Sequence, residues 1–204
     1  MIDLNYNEFC ENFEKNLYEY HKLFIDIPLT SVHLEQLIKQ ALTSIKNTQN
    51  ITHKIDSHSS GVDLILKQNN DTFKISIKSG AYNSKKNLLN FSSYRTTTFK
   101  TINEKINFIN QEHSDFQINL AKKDNWNKTK QYRLFVFDSK QFLLKNLNFK
   151  EDESGWFNKN EQFEITIRKK LSDQVWYTIN LNNLKPLYFK DFNVPQHNLE
   201  YLSK

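Results

Sequence analysis

Two alternating runs joined by a tight-turn signal constrain the fold more than any other stretch. Gly61-Val62-Asp63-Leu64-Ile65-Leu66 is followed by Phe73-Lys74-Ile75-Ser76-Ile77-Lys78-Ser79-Gly80, with Gln68-Asn69-Asn70-Asp71 between them. An Asn pair tolerates the positive φ angles of a two-residue hairpin turn. With Asn69 and Asn70 as the loop, Gln68 pairs with Asp71, and the register carries back along both strands. Val62 then faces Ile77, Leu64 faces Ile75 and Leu66 faces Phe73, which makes one face wholly apolar. On the other face Asp63 sits opposite Ser76, with Lys78 diagonally beside it. A carboxylate, a hydroxyl and an ammonium therefore converge on a hairpin whose back is held in a core.

The surroundings supply that core. Phe9, Phe13, Leu17, Tyr20 and Phe24 recur at helical spacing over residues 5–24. After Pro28, Thr30 or Ser31 caps a second helix that runs to about Lys46 on the stripe Leu34, Leu37, Ile38, Ala41, Leu42 and Ile45. Glu35 lies at the margin of this stripe rather than on the solvent side. Residues 80–90 read as a polar loop before a short strand at Leu89–Tyr94. Helical spacing returns over 96–112, with Thr96 to Thr98 as candidate caps. Tyr132–Phe137 is a strong apolar strand expected at the centre of a sheet, and 163–168 with 175–179 form a C-terminal hairpin, read as accessory. Glu151–Gly155 is expected to be a solvated loop.

The chain has 204 residues, room for one domain with a real core, and no apolar run approaches the roughly 18 residues of a membrane span. Met1-Ile2-Asp3-Leu4-Asn5 carries no basic-then-apolar signal pattern, so a cytoplasmic protein with no membrane partner is expected. The single cysteine, Cys10, excludes an internal disulfide and a multi-cysteine zinc site, and is expected to be a buried inert thiol. The formal charge of +5 suits a polyanionic partner. Asn, Lys, Ile and Phe are abundant, whereas arginine occurs only at Arg95, Arg133 and Arg168. In a chain that otherwise uses Lys, each guanidinium marks a place where planar, bidentate geometry matters.

A carboxylate on a helix, an Asp on one strand and x-x-Lys on the next resembles the PD-(D/E)xK nuclease superfamily, and in size and element order most resembles a type II restriction endonuclease. The matching residues are Glu35, Asp63 and Ser76-Ile77-Lys78, and the resemblance covers roughly residues 31–112. It implies an α/β fold with a restriction-endonuclease-like central mixed sheet flanked by helices, plus the accessory hairpin. The whole of 1–204 is then a single nuclease domain, with a catalytic core over about 31–140 and an accessory region over about 141–204. It also implies Mg²⁺-dependent, sequence-specific cleavage of double-stranded DNA by a homodimer. Asp63 would be the central metal ligand, Ile77 would offer its carbonyl, and Lys78 would orient or deprotonate the attacking water. The chain departs from the pattern at Ser76, where the family usually has Glu or Asp, and Glu35 is the better substitute ligand, with Glu104 as the first acid beyond Lys78.

Several residues are candidates for DNA contact. Ser92-Ser93-Tyr94-Arg95-Thr96-Thr97 places hydroxyls and one Arg where a strand leads into a helix, suited to phosphates or a guanine edge. Lys85 and Lys86 suit electrostatic contact, and His58 precedes the first hairpin strand. Each has a plainer reading: a cross-strand ion pair for Asp63 and Lys78, a helix-surface acid for Glu35, a cap for the threonines and a solvated loop for the lysines. Alternatives in function are a repair or junction-resolving nuclease on the same core, or a catalytically silent DNA-binding subunit.

Overall fold

The computed structural model describes residues 5–24, 27, 29–45, 48–53, 61–68, 71–111, 114–169 and 172–194. Helices α1 (Tyr6–Leu23) and α2 (Ser31–Thr43) come first, then strands β1 (Thr48–His53), β2 (Leu64–Gln68), β3 (Asp71–Asn83) and β4 (Leu88–Arg95). Helix α3 (Ile102–Gln111) leads to β5 (Phe116–Lys123), the short α4 (Trp126–Thr129) and β6 (Gln131–Asp138). A 3-10 turn at Ser139–Phe142 precedes β7 (Lys150–Asp152), β8 (Gly155–Lys159), β9 (Phe163–Arg168), β10 (Gln174–Asn180) and β11 (Tyr188–Asn193). Among the described residues these strands make one mixed sheet in the order β11-β6-β5-β3-β4-β10-β9-β8-β7, with β2 and then β1 branching from β3. The ladder between β3 and β5 is parallel.

The two N-terminal helices begin where side chains cap them. Asn5 accepts from the Glu8 N–H at 3.2 Å, and Thr30 accepts from the His33 N–H at 3.4 Å. Both then lay one apolar stripe on the same face of the sheet, against Leu64, Leu66, Ile75, Ile77, Ile118, Leu120, Leu134 and Val136. Leu34, Ile38 and Leu42 are fully buried there, and truncating any one to Ala is worth about 2–5 kcal/mol. Cys10 is buried in this core as expected, and burial pushes its thiol pKa up. The other face packs a second core, in which Tyr82, Phe91, Phe135 and Phe137 meet Ile109 of α3, Phe142 and the inner residues of β9 and β10. Phe91 stacks on its cross-strand partner Tyr177 at 5.1 Å. Strand β6 is buried on both faces, which explains its unbroken run Leu134-Phe135-Val136-Phe137.

Five expectations change. The stretch 80–90 is no loop: β3 continues to Asn83 and pairs with β4 across a turn at 84–87. Helix α3 starts at Ile102, because Thr101 and Glu104 cap it reciprocally. The Glu104 N–H donates to Thr101 Oγ1 at 3.3 Å, and the Thr101 N–H donates to Glu104 Oε2 at 2.9 Å. Helix α2 ends at Thr43, short of Lys46. The C-terminal hairpin is not an appendage, since β10 pairs with β4 from Leu88 to Arg95 and extends the main sheet. Glu151, Asp152 and Glu153 are exposed, but Glu151–Gly155 is no solvated loop: Glu151 and Asp152 end β7, a buried Gly155 opens β8, and 153–154 alone turn between them. Among the described residues no helix is long and apolar enough to cross a membrane.

Candidate functional site

The site arises from a fork in the sheet. Strands β2 and β4 pair with the same edge of β3, β2 along Asp71–Ile75 and β4 along Gly80–Asn83, while β5 occupies the opposite edge from Ile75 to Tyr82. Between the two ladders neither strand covers residues 76–79: β2 has ended, and β4 has left β3 at Ser92 while keeping β10. Gly80 allows the strands to rejoin, because a Cβ there would lie 2.5 Å from the Asn90 carbonyl oxygen.

The hairpin register is as expected from Gln68↔Asp71 through Leu66↔Phe73 to Leu64↔Ile75, and then breaks. The Asn69-Asn70 turn lies outside the described residues. The Asp63 N–H donates to the carbonyl of Ile75 at 2.9 Å, although Ile75 already partners Leu64. Two residues of one strand thus oppose one on the other, the signature of a β-bulge, so Asp63 does not sit opposite Ser76 nor Val62 opposite Ile77. The expected groups meet all the same, by a different route. Asp63 Oδ2 accepts from the Ile77 N–H at 2.5 Å, from Lys78 Nζ at 3.0 Å and from Ser76 Oγ at 3.3 Å. Its other oxygen accepts no hydrogen bond among the described residues. Asp63 and Lys78 are not a solvent-facing pair, for their side chains are only 8% and 17% exposed.

A cavity of about 340 Å³ opens in the fork. Ser31, Val32 and Glu35, one helical turn apart at the start of α2, form one wall, and Asp63, Ile77 and Lys78 another. Ser92, Ser93, Tyr94 and Arg95 of β4 form the third, completed by Phe108 and Gln174. Glu35 is half-buried and its carboxyl makes no hydrogen bond among the described residues. Burial, and then the charge of Asp63, hold its pKa above the ordinary carboxylate range, with Lys78 opposing.

The three arginines now separate. Arg133 makes a bidentate pair with its register partner Asp191, at 2.6 Å to each oxygen, and Arg168 lies over the Trp176 ring at 5.2 Å. Arg95 is exposed on the cavity rim and has no hydrogen-bond or ionic partner among the described residues. Ser92 and Ser93 are half-buried beside it, and Tyr94 packs edge-on against Phe108.

Other expected residues stand elsewhere. Ser76 is buried off the cavity wall. Thr96 and Thr97 donate their hydroxyls to the carbonyls of Asp173 and Ser172, both at 2.8 Å, and are neither helix caps nor cavity groups. Lys85 and Lys86 sit in the β3–β4 turn, about 16 Å along β3 from Lys78, and do not line the cavity. Glu104 is consumed in its capping box and is no ligand candidate. His58 lies outside the described residues.

Gln174 and Lys105 were not among the expected residues. Gln174 opens a strand with no distinguishing neighbour in the sequence. Lys105 had a signal: it shares the α3 stripe with Ile102 and Ile109, where a Lys at helical spacing is out of place. It is fully buried and donates to the carbonyls of Thr96 and Phe99 and to Asp173 Oδ2.

Among the described residues no three His, Cys, Asp or Glu side chains cluster to hold a metal. The available donors are Asp63, Glu35 and the Ile77 carbonyl, which extended geometry sends to the same edge as the Ile77 N–H. Two carboxylates and a carbonyl are too few for a closed zinc or calcium cage, but fit a cation such as Mg²⁺, which keeps several waters. Comparison with protein-family models, curated proteins and solved structures finds no match to this chain.

Proposed function

We propose that this chain is a Mg²⁺-dependent endonuclease of the restriction type, cleaving double-stranded DNA with a PD-(D/E)xK-like site. One observation carries the reading: Glu35, Asp63 and Lys78, contributed by a helix, a bulge and a neighbouring strand, line a single cavity with Arg95, which has no partner among the described residues. Asp63, Glu35 and the Ile77 carbonyl would hold the metal. Bound there, Mg²⁺ supplies charge stabilisation at the scissile phosphate and a more acidic water. Lys78 leaves Asp63 to orient the attacking water and to offset phosphate charge. Arg95, with Ser92 and Ser93, holds the backbone or a base edge at the rim. Two copies act on a short two-fold site, each cutting one strand.

Supercoiled plasmid incubated with and without Mg²⁺ tests the reading. Cleavage that needs Mg²⁺, gives discrete fragments on long DNA and disappears in Asp63→Ala is expected. Cleavage guided by branched structure rather than sequence would instead indicate a junction-resolving enzyme. A second reading has its own support: Ser76 stands where the family carries an acid, and Lys78 is bonded to Asp63. If the wild type binds duplex DNA but cuts none with Mg²⁺ or Mn²⁺, the chain is a catalytically silent DNA-binding subunit.

A further inference from the structure

We infer that Gln174, from the C-terminal hairpin, is a specificity-determining residue that reads a base edge beside Arg95; this rests on the proposed action on DNA. The two residues are register partners at the last pair of the β4–β10 ladder, beyond a bulge between Gln174 and Trp176. Residues directly opposite in a ladder project to the same face with Cβ atoms about 5 Å apart. Both line the cavity that holds Glu35, Asp63 and Lys78. Neither side chain has a partner among the described residues, although each carries a planar set of hydrogen-bonding groups. Further along this ladder Thr178 Oγ1 donates to Asn90 Oδ1 at 2.7 Å.

Their backbone is held firmly, as a reading group requires. Buried Lys105 ties the carbonyls of Thr96 and Phe99 to Asp173, and the Thr96 N–H donates to the Asp173 carbonyl at 3.3 Å. The residue after Arg95 is thereby fixed to the residue before Gln174. Ser172 and Asp173, immediately before β10, both adopt the positive φ common in turns, 55° and 46°. In the major groove Arg takes guanine O6 and N7 and Gln takes adenine N6 and N7. A phosphate engages only the donors of an amide, whereas adenine engages its donor and its acceptor together, so the presence of Gln at this position favours a base edge.

The test uses full-length protein, Mg²⁺ and a duplex library randomised in sequence, with the cut ends sequenced. Wild type is expected to show a preferred site containing adenine. Gln174→Ala should lose preference at one base pair by roughly 5- to 150-fold and keep the rest of the site, its salt dependence and its melting temperature. Gln174→Glu should shift that position toward cytosine, whose N4 donates to a carboxylate. If wild type cuts selectively and both variants keep its full preference, the inference is wrong while the nuclease reading stands. If wild type cuts no duplex DNA, the nuclease reading fails and takes this inference with it.

Discussion

Lys105 Nζ lies 2.7 Å from Asp173 Oδ2 with the lysine side chain wholly excluded from solvent, on a helix face otherwise given to isoleucine. The pair joins α3, the segment after β4 and the β9–β10 turn. Lys105→Met keeps the volume but leaves the Asp173 carboxylate and the Phe99 carbonyl without this donor, so unfolding in urea should cost about 3 kcal/mol less than in wild type. Arg95 and Gln174 lose their anchor at the same time. An unchanged denaturation midpoint would show that this buried charge holds nothing together.

Asp63 combines structural and chemical duties. Asp63→Ala removes the acceptor for three donors, including the Ile77 N–H on the edge of β3 that neither β2 nor β4 covers. The loss of stability should be about 1–3 kcal/mol, and cleavage should vanish. DNA binding should persist or tighten, because a negative charge facing phosphate is gone. Gel-shift affinity with a parallel cleavage assay checks this, and near-normal cutting by the variant would remove Asp63 from the site.

How much of this was legible follows from which forces are local. The hairpin from Leu64 to Gln68 and Asp71 to Ile75 was readable because alternation and turn chemistry act within a few residues. The same reasoning failed at Asp63, whose N–H bonds the Ile75 carbonyl that already faces Leu64, a bulge that strict alternation does not signal. The stripes of α1 and α2 were readable for the same local reason, and Glu35 at the margin of one stripe proved to face the cavity. Strand β5 escaped notice: Phe116–Lys123 mixes Gln, Asn and Lys with apolar residues, and buried Gln117 donates its amide to Asn119 Oδ1 at 2.8 Å. The rarity of arginine was informative for a different reason at each position. Only the fold shows that Arg133 braces the sheet while Arg95 has no partner among the described residues.

Lys78 should be separable from the fold. Its side chain retains some exposure, and its described hydrogen-bond partner is Asp63, so Lys78→Met preserves most of its packing. Turnover should fall by at least 100-fold, while the melt stays cooperative but moves down, since Asp63 keeps only its two neutral donors. Loss of folding instead of turnover would make the lysine a structural residue. Lys78→Arg should also fail, because a planar fork cannot replace a compact ammonium beside the attacking water.

Glu35 gives a pH test whose sign is fixed by its surroundings. Burial first and Asp63 second raise its pKa in the folded protein, with Lys78 opposing. The folded state therefore holds the proton more tightly than the unfolded chain does. The stabilisation this brings is complete below the unfolded value of about 4.3, and is lost as pH rises through the folded pKa. At pH 7 an ionised Glu35 weakens the metal-free fold, and Glu35→Gln removes that penalty. The variant should melt at or above the wild-type temperature at pH 7, with the difference closing below about pH 4. Mg²⁺ held by Glu35 reverses the order, since a divalent cation favours the ionised carboxyl. It should raise the melting temperature of wild type more than that of Glu35→Gln, and the variant should need more Mg²⁺ for half-maximal cleavage. Melting curves from pH 4 to 8, with and without Mg²⁺, decide the matter. A variant that melts lower at pH 7, or that responds to Mg²⁺ as wild type does, would show that Glu35 is a helix-surface acid and no part of a metal site.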